Sequence, residues 1–291
     1  MKIGILLDSS AGFKVGELNS KIIEVLPLHL IINDENDFLE TEESIIKNNL
    51  SEEVKSDKRK STSQASPGEL MVKYDEMLKK YEHIIHLSIP ENLSSMMQTA
   101  FLVTADQPYK GKVTVIKHSM AANALKYLAL KYEQMINKGI TDLELFQKEA
   151  DTWEKETFLA LIPSNLQTLA RGGRAKMVIL KFLKIVKAKV SIQWGKKPKK
   201  IGISRTYGSL FDKTMSVIIK EMDKDFKLFL LLREKEVNSK LISTVHSYLE
   251  DNKINYKFET LSLVFPWHAG SDTIALIAIK KDLLPDVAFE E

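Results

Sequence analysis

Short apolar runs alternate with amphipathic stretches through the first half of this chain, and that alternation is the strongest constraint on its fold. Three of the runs are typical of buried strands, over Lys2–Leu7, His83–Ile89 and Val113–Ile116. Helical patterns accompany them over residues 67–80, 94–106 and 120–137. Strands and helices in alternation favour a largely parallel sheet flanked by helices on both faces.

Local signals refine this first half. Ser66, Pro67 and Glu69 predict a capped helix start, and a second capping box is predicted to begin at Thr141. A helix is predicted over Phe13–Glu24, followed by a single apolar strand over residues 25–32 that contains a proline. Residues 33–66 are mostly polar, with one short helical pattern.

The rhythm changes after residue 156. Strands are predicted over residues 157–162, 227–232, 256–264 and 273–279, with a hairpin around residues 194–198 and helices between. This pattern indicates a C-terminal α/β lobe with a mixed or antiparallel sheet. A chain of 291 residues exceeds what one core usually serves. We therefore predict an α/β fold of two lobes, with domains over residues 1–156 and 157–291.

Composition excludes several functional classes. The chain has no cysteine, which excludes disulfides, thiolate nucleophiles and cysteine metal sites. Its net charge is +3, from 42 basic and 39 acidic side chains, whereas dedicated nucleic-acid binders usually carry a large basic excess. No apolar stretch approaches the roughly 20 residues of a membrane-spanning helix, and the N-terminus does not resemble a signal peptide. We expect a cytoplasmic protein.

Two hydroxyl-rich segments precede predicted helices. Residues 61–67 and 88–95 each combine serine or threonine side chains with a helix start, and the second follows a predicted strand. Hydroxyls and free helix N–H groups hold anions such as carboxylate or phosphate, but the same residues also serve as ordinary N-caps. Two such segments in one lobe favour convergence on a single anion.

The region between Glu156 and Asp212 contains no acidic residue but many lysines and arginines. Such a positive region attracts phosphate, acidic protein or anionic lipid. Its apolar helix, predicted over residues 175–187, carries lysines near one face. That helix is compatible with transient contact with a membrane surface or with a buried helix that has a solvated edge.

Neither the histidines nor the sequence motifs give strong evidence for catalysis. His268 lies in a turn-rich segment after a predicted strand, where a histidine can bond a ligand carboxylate. His83 and His86 are three apart on a strand and so face opposite ways, which opposes a metal site. The phosphate-loop, dinucleotide, nucleophile-elbow and zinc-protease motifs do not occur.

Taken in order, several segments resemble the DegV family of bacterial proteins. The segments span nearly the whole chain and are Ile5-Leu6-Leu7-Asp8-Ser9-Ser10-Ala11, Val25-Leu26-Pro27-Leu28, Thr62-Ser63-Gln64-Ala65-Ser66-Pro67-Gly68-Glu69, Leu93-Ser94-Ser95-Met96-Met97-Gln98-Thr99-Ala100, Gly172-Gly173-Arg174 and His268-Ala269-Gly270. The piece that begins at Thr62 is the most specific of them.

The resemblance implies a carrier of one long-chain fatty acid and no further cofactor or metal. It implies that Thr62 and Ser94 hold the carboxylate, with His268 near it and Ser63 and Ser95 as neighbouring candidates. In some relatives a separate fatty acid kinase phosphorylates the bound acyl chain, and the counterpart of Arg174 serves that partner or the acyl phosphate.

The sequence departs from the family pattern at three places. Ser95-Met96 replaces Gly-Thr, Lys117-His118 replaces Asp-Ser, and Ser271-Asp272 follows His268-Ala269-Gly270 in place of Pro-Gly. The lead hypothesis is a lipid-binding protein that is not itself an enzyme. The alternatives are a phosphoryl- or acyl-transfer enzyme related in fold to dihydroxyacetone kinases and, least favoured, a nucleic-acid protein that uses the basic stretch.

Overall fold

We describe a computed structural model that covers residues 1–13, 20–171, 188–223, 225–233 and 239–289. Three predicted features lie outside these described residues: Arg174, the whole basic helix predicted over residues 175–187, and residues 14–19 of the first predicted helix. Within them, no helix is both long and apolar enough to cross a membrane.

The N-terminal sheet is fully parallel, as the sequence predicts. Its four strands stand in the order β2-β1-β6-β7 and comprise β1 (Ile3–Asp8), β2 (Ile23–Leu26), β6 (His83–Leu87) and β7 (Val113–Val115). Among the described helices, those that pack against this sheet are α3 (Pro67–Leu78), α4 (Met96–Thr104), α5 (Asn123–Asn137) and α6 (Leu143–Lys155).

Both faces of this sheet are buried because side chains of a strand alternate between faces. In β1, Leu6 packs into an apolar cluster with residues of α3 and α4. Its neighbours Ile5 and Leu7 belong to the cluster that contains α5 and α6. A strand that buries every residue explains why its sequence is a continuous apolar run.

The helix starts follow the predicted capping chemistry with one difference. The Ser66 hydroxyl accepts from the Glu69 backbone N–H at 3.2 Å, and the Glu69 carboxylate accepts from the Ser66 backbone N–H at 2.8 Å. The second predicted capping box does not form, because Asp142 rather than Thr141 caps α6 and its side chain accepts from the Glu144 N–H. The third position after Asp142 is Leu145, which cannot complete a box.

The C-terminal sheet is mixed, also as predicted. Its strands stand in the order β10-β9-β8-β13-β11-β12 and comprise β8 (Thr157–Ile162), β9 (Lys189–Trp194), β10 (Lys199–Ser204), β11 (Phe226–Leu232), β12 (Tyr256–Thr260) and β13 (Ile274–Lys280). The β11–β12 pair is parallel and the other four described pairs are antiparallel. The described helices of this half are α7 (Leu166–Arg171), α8 (Tyr207–Met222), α9 (Ser239–Asp251) and α10 (Val264–Ala269).

A third, three-stranded antiparallel sheet was not predicted. It has the order β4-β3-β5 and comprises β3 (His29–Ile32), β4 (Asn36–Leu39) and β5 (Lys60–Ser63), with helices α1 (Glu42–Lys47) and α2 (Leu50–Glu53) between β4 and β5. β5 is polar in sequence and becomes a strand through its pairing with β3, which no local pattern reveals.

Two predictions before residue 33 are wrong. The single strand over residues 25–32 is two strands in different sheets, separated at Pro27 and Leu28. Proline has no backbone N–H to continue a ladder, so the chain changes sheets there. The prediction that a helix reaches Glu24 is also wrong, because residues 20–22 are not helical and β2 begins at Ile23, where it pairs with β1.

One apolar cluster joins the two larger sheets. It contains Ile5 and Ile85 from the parallel sheet together with Leu159 and Ile277 from the mixed sheet. All strands of the parallel sheet precede residue 116 and all strands of the mixed sheet follow residue 156. The domain boundary near residue 156 stays a prediction.

Two buried histidines affect how stability depends on pH. His86 is fully buried, with its Nδ1 atom 2.7 Å from the Tyr74 hydroxyl, and burial lowers its pKa to about 3. Burial likewise lowers the pKa of His118 to about 4. Both imidazoles are therefore neutral in the folded protein above about pH 5. Burial also raises the pKa of the carboxyl groups of Asp8 and Glu40, which changes stability with pH in the opposite direction.

We predict that wild-type protein loses about 2 kcal/mol more unfolding free energy between pH 7 and pH 5 than a His86→Gln variant. The unfolded chain protonates this histidine near pH 6.5 but the folded chain does not, so acid favours unfolding. Asp8 and Glu40 are present in both proteins, so their opposite effect on stability cancels when the wild type is compared with the variant. Urea denaturation at both pH values measures the difference, and equal losses would show that His86 is not held neutral.

Candidate ligand-binding site

An apolar cavity lies between the parallel and mixed sheets. Its wall includes Ile89 and Leu93 from the loop after β6, Leu159 and Leu161 from β8, and His268 from α10. The cavity has a volume of about 30 Å³. That space holds about two water molecules, so the apolar walls nearly meet.

The helix that carries His268 differs from the prediction. The strand predicted to reach Val264 ends at Thr260, and α10 begins at Val264. His268 therefore lies in a buried helical turn rather than in a polar loop. Pro266 is compatible with this helix because the N–H groups of a first turn have no intrahelical partner.

Two contacts join α10 to β5. The Trp267 indole N–H donates to the Ser61 carbonyl at 3.1 Å. Next to it, Thr62 Oγ1 and His268 Nε2 are in hydrogen-bond contact at 2.7 Å. The structure thus brings together two predicted site residues that are 206 positions apart in sequence. Because His268 also lines the cavity, this pair forms a polar end to an apolar space.

Ser94 reaches the same region through Gln64. The Ser94 hydroxyl lies 3.5 Å from Gln64 Oε1, and Gln64 follows Thr62 by two residues. Gln64 in turn donates to the Thr99 hydroxyl on α4 at 2.7 Å. The Ser94 hydroxyl also accepts from the Met96 N–H at 3.2 Å. Gln64 stands in the most specific family segment but was not predicted as a site residue.

The remaining predicted hydroxyls have other surroundings. Ser63 is exposed, and its hydroxyl donates to the Gln64 carbonyl at 2.9 Å. Its side chain lies on the opposite side of β5 from Thr62, because strand side chains alternate. Ser95 is exposed before α4 and makes no capping bond through its side chain. Neither joins the Thr62–His268 pair in this structure, and Arg174 lies outside the described residues.

Gly270 permits the close packing behind His268. Its φ of +91° is in the region that favours glycine, and a Cβ atom there would lie 2.3 Å from the Ser164 hydroxyl. The neighbouring Ala269 carbonyl accepts from the Asn165 N–H at 2.8 Å. A side chain at position 270 would therefore displace the end of α10.

A buried carboxylate anchors the other end of α10. Glu40 is 8% exposed and accepts from the Ser9 hydroxyl at 2.5 Å, the Ser262 hydroxyl at 2.7 Å and the Val264 N–H at 3.1 Å. Burial raises the pKa of this carboxyl group. Sequence reasoning missed Glu40, because two of its partners lie 222 and 224 residues away and no motif surrounds it.

Asp8, at the end of β1, is similarly enclosed. Its carboxylate accepts from the Ser10 N–H at 3.0 Å, the Ser10 hydroxyl at 2.5 Å and the Ile89 N–H at 2.5 Å. These bonds connect the ends of two neighbouring strands of the parallel sheet. In the described part of the chain, no group of three or more histidine or carboxylate side chains is placed to hold a metal ion.

Known proteins of one family resemble this chain in sequence. The model of a family described as "Uncharacterised protein, DegV family" matches residues 2–281. A DegV domain-containing protein of Mycoplasmopsis pulmonis is 27% identical over 291 residues, covering 97% of this chain and 96% of that protein. A DegV domain-containing protein of Clostridium perfringens is 24% identical, covering 96% of this chain and 99% of the relative.

Solved structures share the fold. A fatty acid binding DegV family protein from Thermus thermophilus superposes with a TM-score of 0.81 at 20% identity, covering 96% of this chain and 100% of that one. A stearic acid-binding protein from Eubacterium ventriosum gives 0.81 at 16% identity, covering 96% and 98%. A DegV family protein from Eubacterium eligens, loaded with heptadecanoic acid, gives 0.76 at 17% identity, covering 96% and 100%.

We predict that Glu40→Ala lowers the unfolding free energy by about 2–4 kcal/mol, because it leaves buried donors without an acceptor. Urea denaturation measures the change. The matched control is Glu43→Ala on α1, an exposed glutamate whose removal should matter by less than about 0.5 kcal/mol. Similar effects of the two substitutions would mean that Glu40 is not an anchor.

Proposed function

Since the chain belongs to the DegV family, we propose that it binds a long-chain fatty acid, with the acyl chain in the apolar cavity and the carboxylate at Thr62 and Ser94 beside His268. The observation that carries this proposal is the Thr62–His268 contact at the wall of an apolar cavity. A fatty acid needs this combination, because its two ends have opposite solvation requirements.

The energetics favour such a ligand. Burial of each CH₂ group is worth about 0.8 kcal/mol, so a chain of about 16 carbons gains enough to bind with few polar contacts. Its carboxylate needs hydrogen-bond donors, since an unpaired charge in an apolar site is costly. Hydroxyls of Thr62 and Ser94, the Gln64 amide and the His268 ring provide donors within one region.

Entry of the acyl chain requires the walls to move. A cavity of about 30 Å³ is far smaller than a long alkyl chain. Side chains such as Leu93, Leu161 and Phe265 therefore have to change position as the chain enters. The free energy needed to move these side chains reduces the net binding free energy that burial of the acyl chain provides.

Relatives support the ligand class. The neighbours from Thermus thermophilus and Eubacterium ventriosum are described as binding fatty acid and stearic acid, and the one from Eubacterium eligens is loaded with heptadecanoic acid. All three align over at least 96% of this chain. We extend that ligand class to this protein as the proposed function.

We propose binding rather than catalysis. The alternative of a phosphoryl- or acyl-transfer enzyme would need a reactive carboxylate, and Asp8 is a candidate because it ends β1 beside the hydroxyls of Ser9 and Ser10. The Asp8 carboxylate is 1% exposed and already accepts three hydrogen bonds from Ser10 and Ile89. Those contacts fit a structural role at the end of β1.

Presentation of the bound acid to a separate fatty acid kinase stays a prediction. Thr62 is half-buried and Ser63 is exposed, so the proposed carboxylate position lies next to the protein surface. A partner protein would reach that end of the ligand without opening the acyl cavity. The proposed role of Arg174 and transient membrane contact by the basic helix also stay predictions, and we propose no nucleic-acid partner.

We predict that protein purified from a bacterial host carries a long-chain fatty acid, which solvent extraction and mass spectrometry detect. After removal of lipid, the protein should take up added palmitate or oleate. Absence of extracted fatty acid together with no uptake of either acid would overturn the proposed function.

We predict that Thr62→Ala and Ser94→Ala each weaken fatty-acid affinity by about 1–3 kcal/mol, because each removes a donor to a charged group. Titration of delipidated protein with a fluorescent fatty acid measures the loss. The exposed neighbours provide matched tests, since Ser63→Ala and Ser95→Ala should each cost less than about 0.5 kcal/mol. Unchanged affinity in both of the first two variants would show that the carboxylate lies elsewhere.

A further inference from the structure

One part of the wall of the apolar cavity has no regular secondary structure. Residues 116–122 connect β7 to α5, and within them Ala121 and Ala122 line the cavity. Both alanines are buried. The backbone N–H groups of residues 120–122 donate no hydrogen bond to a backbone carbonyl of any residue that the structure describes. A segment with so few backbone hydrogen bonds needs less free energy to move than a strand or a helix does.

Other parts of the wall have backbones that are held more firmly. Leu161 and Ala275 lie opposite each other in the ladder that joins β8 to β13. Helix α10 is anchored by the Glu40 carboxylate. The Ile89 N–H donates to the Asp8 carboxylate. The backbone at these positions cannot move without loss of hydrogen bonds, so the segment before α5 is the better candidate for movement.

The backbone of Ala122 is strained. Its φ is +53° and its ψ is −147°, close to a region that is essentially restricted to glycine. Ala122 is the N-cap of α5, but helix capping does not explain the conformation, because an alanine side chain offers no hydrogen bond to the helix. Strained backbone of this kind is concentrated at ligand sites. The position of Ala122 at the cavity wall therefore connects its strain with ligand binding.

Both flanks of the strained segment are anchored. On the helix side, the buried Asn123 side chain donates through Nδ2 to the Glu259 carboxylate on β12 at 2.6 Å. On the strand side, the Ser119 hydroxyl donates to the Glu154 carboxylate on α6 at 2.9 Å. Movement of the wall is therefore confined to residues 120–122, between these two hydrogen bonds.

We propose that the apolar cavity opens at Ala122. When an acyl chain enters, residues 120–122 move away from the cavity, and Ala122 leaves its strained conformation. The released strain offsets part of the free energy that is needed to separate the cavity walls. This proposal rests on the proposed function, because the movement makes room for the acyl chain of a bound fatty acid.

Replacement of Ala122 by glycine tests whether the strain is released on binding. Glycine adopts a positive φ freely, so Ala122→Gly should raise the Tm of the delipidated protein by about 2–4 °C. It should not raise the Tm of the palmitate-saturated protein, in which residue 122 is already relaxed. Affinity depends on the difference between the two forms, so the variant should bind palmitate about three- to tenfold more weakly. Differential scanning calorimetry measures Tm, and isothermal titration calorimetry measures affinity.

The matched control is Asn49→Gly. Asn49 is an exposed, uncharged residue with a φ of +50°, and its side chain makes no capping hydrogen bond. It does not line the cavity. Glycine at this position should change the Tm of the delipidated and palmitate-saturated forms equally and leave the affinity for palmitate unchanged.

A crystal structure of the palmitate-bound protein provides a second, direct measurement. We expect the φ of Ala122 to be negative when the acyl chain occupies the apolar cavity. A positive φ at Ala122 beside a bound acyl chain would overturn the proposal.

The calorimetric results separate this proposal from the proposed function. If Ala122→Gly raises the Tm of both forms equally and binds palmitate as tightly as the wild type, the strain persists in the bound state and the proposal is wrong. Palmitate binding by the wild type would still support the proposed function in that case. If the delipidated wild type takes up neither palmitate nor oleate, both proposals fail.

Discussion

The buried carboxylate of Glu40 is the contact on which the geometry of the site depends. A buried carboxylate needs hydrogen-bond donors for its oxygen atoms. The donors to Glu40 come from Ser9 after β1 and from Ser262 and Val264 around the start of α10. One side chain thus ties the carboxyl end of the parallel sheet to the helix that carries His268. If that tie were lost, the position of His268 against Thr62 would depend more heavily on the direct contacts of α10 with β5, such as the Trp267–Ser61 hydrogen bond.

The proposed site is a junction of segments from different parts of the fold. The polar end combines β5, a strand of the small antiparallel sheet, with α10 from the C-terminal half and the loop that precedes α4. The apolar part uses the interior between the two larger sheets. β5 has no apolar residue of its own, so its position depends on its pairing with β3 and on its contacts with Trp267 and His268.

The parts of the fold that could be predicted are those set by local sequence. Strands such as β1 and β8 are continuous apolar runs, and α3 begins with a complete capping box, so neighbours in sequence were sufficient. β5 and α10 could not be predicted this way. The first is polar and becomes a strand only by pairing, and the second continues an apolar run that had the appearance of a strand.

The candidate site shows the same division. Thr62 and Ser94 came from family resemblance, and the resemblance also pointed to His268, whose contact with Thr62 no periodicity could have revealed. Glu40 and Gln64 were missed because their importance arises from partners distant in sequence.

The near closure of the apolar cavity affects the rate of binding. A lipid that can enter only after the cavity walls separate associates more slowly than diffusion permits. The same closure protects the protein when it holds no lipid, because apolar walls that nearly meet expose little apolar surface to neighbouring molecules.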